Sequence, residues 1–372
     1  MGMQIQAAVL VAPNMPFRIE TITLDEPRAG EVLVKLAACG VCHSDWHVVT
    51  GATKQPLPVI CGHEGAGIVE AIGDGVTHLM VGDHVILNWA PACGDCFYCQ
   101  QGQPNLCATY TDPLWAGMML DGTSRLHRLD GTPVYSYCGT AAFADYTVVP
   151  APSCVPIRRD FSLVTASLIG CAVATGVGAA WITADVQAGM SAVVIGCGGV
   201  GLNTIQGAAL RGAAPVIAVD IHAGKLDIAQ AFGATHGILH TDAASTLSAI
   251  RALTGGRGAD VSFEAVGLPD LQELAFAAAR PGGTVVLEGL SAMGTATNLP
   301  GALITRQEKT IKGSYYGSVD ARTDFPRFVE EAAAGRLQLD ALVSRTWGLS
   351  EINEAFADML TGSVARGVIV FP

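Results

Sequence analysis

Charge is scarce in this sequence of 372 residues, and positive charge is the scarcer kind. Only 15% of residues are charged, with 21 Lys and Arg against 33 Asp and Glu, and the basic residues form no cluster. A net charge of -12 without a basic stripe repels a phosphate backbone, so no nucleic-acid partner is expected. Internal repeats and low-complexity segments are also missing. Residues 1–6 lack the basic region of a signal peptide, and Gln6 breaks the myristoylation pattern, so a cytoplasmic location is expected. Two stretches, 161–184 and 186–210, are nearly free of charge. Ser, Thr and Gly interrupt the first, and a glycine cluster with Asn203 and Gln206 interrupts the second. Both read as buried elements rather than membrane spans, so no membrane partner is expected.

What the sequence does hold is apolar residues (50%), 44 glycines and 11 cysteines. The length is too great for one comfortable core, and two domains are expected. Clustered cysteines in a cytosolic chain more often bind metal than form disulfides.

The first region, to about residue 172, carries strand-like runs at 31–38, 67–72, 83–87 and 143–149, separated by Gly and Pro turns. Little helical periodicity accompanies them, which suggests a partly closed β-barrel. Within it lies Cys93-x2-Cys96-x2-Cys99-x7-Cys107. Four thiolates so spaced can fold round one tetrahedral Zn²⁺, and a closed set of four cysteines leaves no position for substrate. That site is structural. A second group is scattered. The stretch Cys39-Gly40-Val41-Cys42-His43-Ser44-Asp45-Trp46-His47 packs two thiols, two imidazoles, a hydroxyl and a carboxylate into nine residues. A ligand-bearing segment and a polar loop with a chance cysteine pair both fit that composition. Gly62-His63-Glu64 and Gly170-Cys171 follow. Two cysteines and a histidine make three protein ligands and leave a fourth place open, the set known for catalytic zinc in alcohol dehydrogenase.

The second region, 173–315, alternates strand and helix. An apolar run, 192–195, leads into Gly196-Cys197-Gly198-Gly199-Val200-Gly201 and a helix over 202–210. Glycines there permit a tight turn and the approach of a pyrophosphate to the helix N-terminus. A second strand, 215–220, ends in Asp220, nineteen residues past Gly201. That carboxylate suits the ribose hydroxyls of NAD and repels a 2′-phosphate. Lys225 either reaches the same ribose or is a solvated lysine at a helix start. Helices at 225–232 and 271–279, with strands at 260–264 and 283–287, complete a doubly wound parallel sheet. The last part, 316–372, has helical patterns at 325–334 and 352–360 and a strand at 367–371, and is expected to rejoin the first domain.

These residues resemble the zinc-dependent medium-chain alcohol dehydrogenases, almost end to end. The resemblance rests on 40–45, 62–64, the cysteine quartet, Gly170-Cys171 and 196–201 with Asp220; 121–125 and 139–149 look like the family's long-loop branch. It implies an α/β fold: a GroES-like β-barrel catalytic domain (1–172 and 316–372) plus a Rossmann NAD-binding domain (173–315). Substrate and nicotinamide would lie in the cleft between them. By the same resemblance Cys42, His63 and Cys171 are the catalytic zinc ligands, Asp45 holds the ligand histidine, and Glu64 is the acid behind the metal. Ser44 would take the proton from the alcohol and His47 would pass it to solvent, although His47 also reads as a surface histidine. Thr175 would touch nicotinamide, Val200 would pack on the cofactor, Asp220 and Lys225 would contact the adenosine ribose, and Arg366 the pyrophosphate. His43 stands where the family often has Arg for that phosphate. Trp89, Tyr137, Cys138, Leu290 and Tyr315 match pocket positions and suggest a primary or aromatic alcohol, unless some of the rings are core. Cofactors are then NAD and two zinc ions per chain, in a homo-oligomer (dimer or tetramer) acting on a small alcohol or aldehyde. Two relatives compete with that reading: a nicotinoprotein with permanently bound NAD, and a dehydrogenase of thiol adducts of formaldehyde. Thr53 and Thr111 stand near where the latter carries an acid and a base, which argues against it. A non-enzymatic zinc module does not explain the NAD fingerprint.

Overall fold

The computed structural model describes residues 2–362 and 365–372. The chain divides into two compact units. The first comprises Met1–Cys171, Asp320–Gly335 and Leu339–Pro372, and the second Ala172–Val319 with Arg336–Gln338.

The first unit opens with β1 (Met3–Leu10), β2 (Arg18–Leu24), β3 (Glu31–Val41), β4 (Val59–Ile60), β5 (Glu64–Ile72) and β6 (His84–Leu87). It continues with β7 (Leu126–Arg128), β8 (Pro133–Ser136), β9 (Tyr146–Pro150) and β10 (Cys154–Ile157). Strands β1, β2, β7, β8 and β4 close a small barrel. Closure leaves no unpaired edge in those short strands. The second sheet runs β10, β6, β5, β3, with β9 also paired to β3.

The second unit is one sheet of β11 (Ala192–Ile195), β12 (Val216–Asp220), β13 (His236–Leu239), β14 (Ala259–Glu264), β15 (Ala279–Leu287) and β16 (Thr310–Gly313). The spatial order is β13-β12-β11-β14-β15-β16, and every pairing is parallel. All four residues of β11 are buried, which is why its sequence is apolar without alternation. This is the doubly wound arrangement expected from the alternating pattern. The chain then returns to the first unit with β17 (Val343–Gly348) and β18 (Arg366–Val370). Strand β18 pairs antiparallel with β3, Gly367 opposite Val41 and Ile369 opposite Cys39.

Packing explains how the polar stretch after β3 is held. Phe356, on the helix Ile352–Thr361, stacks on Phe17 at 5.3 Å and meets Phe143 edge-on at 5.9 Å. Trp46 stacks on the same ring at 5.8 Å. Deleting a ring from such a core costs about 3–5 kcal/mol. Trp46, together with the buried Val48 and Val49, therefore pins the short helix His43–Thr50 to the core. That helix is absent from the sequence reading, because eight mostly polar residues show no apolar period. Gly51, at φ +76°, ends it with a left-handed cap that a side chain would strain. The strand expected at 143–149 starts at Tyr146; Phe143 is instead core and Ala144 makes an isolated bridge to Ala7. Among the described residues, no single helix is long and apolar enough to cross a membrane.

Candidate active site

Cys42 is the residue before the helix His43–Thr50, with extended backbone (φ -128°, ψ 149°). Its carbonyl accepts the N–H groups of Asp45 and Trp46 at 3.2 and 3.3 Å, so β3 passes directly into the helix. His63 lies just before β5, after Gly62 at φ +88°. A Cβ on Gly62 would stand 2.6 Å from the Phe143 nitrogen, so only glycine fits that turn. The Gly62 N–H donates to Asp45 Oδ1 at 2.8 Å, and His63 Nδ1 meets the same oxygen at 3.1 Å. Asp45 is fully buried. A carboxylate on Nδ1 fixes the proton there and presents Nε2 as a lone-pair donor. Cys171 follows the single turn Leu168–Gly170.

These segments bring Cys42, His63, Glu64 and Cys171 together, with ligand atoms all within 4.8 Å of one another. Their electrostatics are those of a metal donor set. A hydrogen bond from the Cys171 thiol is the main influence that holds Cys42 well below its usual range, and that same bond, with burial, keeps Cys171 well above it. Burial alone would lower the His63 pKa, but the Asp45 and Cys42 charges outweigh it and push it up. A divalent cation replaces that shared proton with a stronger partner for both sulfurs. Burial pushes Glu64 up to about 7 against the pull of Arg366. The Arg366 guanidinium is ion-paired with Glu64 Oε2, and both side chains are buried. Gly40 faces Glu64 across the β3–β5 ladder, and a Cβ there would overlap that carboxylate. Glu64 Oε2 is thus committed to Arg366, while Oε1 is buried without a hydrogen-bond partner. Two sulfurs and one imidazole remain as the donor set, which suits zinc with an open position.

The second cluster is Cys93, Cys96, Cys99 and Cys107, also within 4.8 Å of one another. Zinc–sulfur bonds of about 2.3 Å give a tetrahedron with edges of about 3.8 Å. The observed separations are 4.0 Å for Cys93–Cys99 and 3.8 Å for Cys96–Cys107. The Thr109 hydroxyl donates to Cys93 Sγ at 3.2 Å, and the N–H groups of Asp95 and Cys96 at 3.4 and 3.3 Å. In that order they bring Cys93 down to about 6, whereas burial pushes Cys99 up to about 12.

Around the first donor set, Tyr137 stands edge-on to His63 at 5.6 Å and Trp89 at 6.4 Å. Trp115, which the sequence reading missed, backs Tyr137 at 5.9 Å. Its signal lay in the helix Ala108–Trp115, whose apolar end closes on this wall. Cys138 is buried beside them at φ 52°. Leu290 and Tyr315 belong to the second unit and are exposed. Ser44 and His47 are half-buried and three residues apart on one helix, so they share a face. His43 opens that helix and is exposed. Arg366, which the resemblance put on a pyrophosphate, is found on Glu64.

The second unit carries the dinucleotide fingerprint in its expected frame. Gly196 leaves β11 at φ +96°, Gly198 precedes the helix Gly199–Leu210, and a Cβ on Gly201 would overlap the Gly196 carbonyl. Gly176 lets the helix Ala172–Gly178, which carries Thr175, press against the Val200 carbonyl and the Thr204 nitrogen. Gly199 and Val200 form the half-exposed first turn of the fingerprint helix. Asp220 closes β12; its Oδ2 accepts the Cys197 N–H at 2.8 Å and its Oδ1 the His222 N–H at 2.9 Å. Each oxygen keeps a lone pair for a ribose hydroxyl, so the residues present fit NAD. Lys225 lies half-buried on the helix Ala223–Ala231.

Comparison with known proteins agrees with both units. Residues 28–159 match the family described as Alcohol dehydrogenase GroES-like domain, and 199–334 match Zinc-binding dehydrogenase. The chain is 41% identical over 374 residues to an NDMA-dependent alcohol dehydrogenase of Amycolatopsis methanolica, covering 99% of each. It is 37% identical over 377 residues to an S-(hydroxymethyl)glutathione dehydrogenase of Paracoccus denitrificans, covering 99% of this chain and 100% of the relative. A solved benzyl alcohol dehydrogenase from Acinetobacter calcoaceticus superposes with a TM-score of 0.94 at 31% identity, over the full length of both.

Proposed function

Since the chain belongs to the zinc-dependent medium-chain alcohol dehydrogenases, we propose that it oxidises a primary or aromatic alcohol, reversibly, with NAD as hydride acceptor. The observation that carries this reading is the buried trio Cys42, His63 and Cys171, with Glu64 ion-paired to Arg366. These three residues would hold Zn²⁺, whose Lewis acidity lowers the pKa of a hydroxyl placed against it. NAD⁺ on the second unit supplies the hydride acceptor.

The rest is done by side chains. Asp45 keeps His63 in the tautomer that presents Nε2. Ser44 takes the hydroxyl proton and His47, one turn on, hands it to solvent. Tyr137, backed by Trp115, and Trp89 form an aromatic wall that excludes water and offers rings for an apolar substrate to pack on. The name of the Acinetobacter relative supports an aromatic alcohol. The second zinc, on Cys93, Cys96, Cys99 and Cys107, braces its lobe. We also place the chain in the cytoplasm as a homo-oligomer, dimer or tetramer, which light scattering would size. The test of the reaction is NADH formation from a panel of aliphatic and aromatic alcohols. Turnover is expected to be higher with aromatic members, and no NADH from any of them would overturn the proposal.

The likeness to the NDMA-dependent enzyme favours a second reading, a nicotinoprotein that retains NAD and passes electrons to an external acceptor. Cofactor that survives gel filtration, with turnover only when an artificial acceptor is present, would select it. The thiol-adduct reading draws on the Paracoccus relative, and turnover of S-hydroxymethyl glutathione above that of simple alcohols would select that one instead.

A further inference from the structure

The second unit holds two acids that the reaction above does not use, one fully buried and one half-buried. Glu264 ends β14, and Glu288 follows β15 directly, its N–H donating to the Glu264 carbonyl at 2.8 Å. Glu264 is fully buried; its Oε1 accepts the N–H groups of Val266 and Gly267 at 2.8 and 2.7 Å. Glu288 Oε2 accepts the Thr204 hydroxyl at 2.8 Å. Glu264 Oε2 and Glu288 Oε1 are both buried without a hydrogen-bond partner, and neither acid has an ion-pair partner among the described residues. Burial, with Glu264 adding its own charge, pushes Glu288 well up against the Thr204 bond, and burial pushes Glu264 up against its backbone donors. Two acids within electrostatic reach of one another, each with a buried oxygen lacking a partner, are costly to ionise, and a cation placed beside them would relieve that cost.

The sheet order says which part of a dinucleotide comes near. Asp220 on β12 takes the adenosine ribose and the β11 turn takes the pyrophosphate. Strands β14 and β15 lie on the opposite side of β11 from β12, so the second nucleoside extends over their carboxyl ends. In the oxidised state that nucleoside carries a pyridinium ring, the dinucleotide's one fixed cation; in the reduced state the ring is neutral. Thr204, which orients Glu288, sits in the second turn of the fingerprint helix.

We propose that the Glu264–Glu288 pair selects the oxidation state of the cofactor, binding the cationic nicotinamide of NAD⁺ in preference to the neutral ring of NADH. The inference rests on the assignment of the second unit as an NAD site. It makes Glu288 a specificity-determining residue, with Thr204 as its positioning residue.

The experiment titrates the full-length, zinc-loaded protein with NAD⁺, NADH and ADP-ribose, which lacks the nicotinamide. In Glu288→Gln, which keeps an acceptor for Thr204 but cannot ionise beside a cation, the Kd for NAD⁺ should rise about tenfold. Affinities for NADH and ADP-ribose should stay within about twofold, since neither places a cation there. Glu264→Gln should move the NAD⁺-to-NADH ratio the same way, and it serves if Glu288→Gln does not fold. Equal weakening of NAD⁺ and NADH, or no change in their ratio in either variant, overturns the proposal while leaving the NAD site intact. A wild-type protein that binds none of the three ligands overturns the NAD assignment and the inference with it.

Discussion

The two metal sites of the first unit are built on opposite plans. The quartet Cys93, Cys96, Cys99 and Cys107 lies within fifteen consecutive residues, three of its sulfurs are partly exposed, and backbone N–H groups and Thr109 support the thiolates. The trio Cys42, His63 and Cys171 is drawn from a helix start, a strand start and the end of a short turn, and all of it is buried. A local loop can close round an ion with its own backbone and needs little from the rest of the fold. A dispersed site needs a framework, which here is the β3–β5 pairing, the Asp45 brace on His63 and the Glu64–Arg366 pair. The first plan suits a brace and the second suits chemistry, because only a framework can hold three ligands and withhold a fourth.

That contrast can be broken at either end. The largest effect is expected for Cys171→Ser: alcohol turnover should fall by about 10³-fold or more, while metal analysis still finds zinc on the quartet. Full activity in this variant would remove the trio from the mechanism. Next comes Cys107→Ser, which should lower unfolding stability by at least about 3 kcal/mol and remove the other zinc, since a metal absent from the unfolded chain stabilises the fold. Chemical denaturation with zinc counting would check it, and unchanged stability with one zinc lost would show the lobe to be no brace. Asp45→Asn should weaken zinc at the trio by about 10- to 100-fold and leave the quartet's affinity unchanged. Competition with a chromophoric chelator separates the two sites. The smallest effect belongs to Thr109→Val, where one hydroxyl-to-sulfur bond is lost and zinc affinity at the quartet should drop about threefold. An effect as large as that of Asp45→Asn would mean that the quartet, too, depends on residues beyond its own sulfurs.

The same contrast explains what could be read without coordinates. The quartet's spacing is a local property, and so is the run from β11 through Gly196–Gly201 to Asp220, where each residue does its work within one strand–turn–helix unit. The strand at 192–195 and the helices near 225–231 and 352–360 appear within a residue or two of their expected places, because burial on one or both faces writes its period into the chain. The helix His43–Thr50 escaped because its buried residues are the adjacent Val48 and Val49 and the carboxylate Asp45, with Trp46 half-buried, and that set makes no apolar period. Trp115 escaped because its partner Tyr137 lies 22 positions on in the sequence. The pairing of Arg366 with Glu64 was not legible either, because it depends on β18 lying beside β3.

The sequence by itself determined the chemistry on offer: eleven cysteines with four in a binding spacing, a histidine and acid pair, a glycine turn followed by Asp220, and apolar periods enough for two cores. Only the tertiary structure decided which of these groups meet. It joined Cys42 and Cys171, 129 positions apart, and set Arg366 behind Glu64. It also joined the chain at Glu264 to the chain at Glu288 and left a buried oxygen without a partner on each acid. The physical reason is that ligand type and local spacing are properties of a few adjacent residues. The distance between remote groups, and the dielectric that gives their charges weight, exist only once strands have paired and water has been excluded.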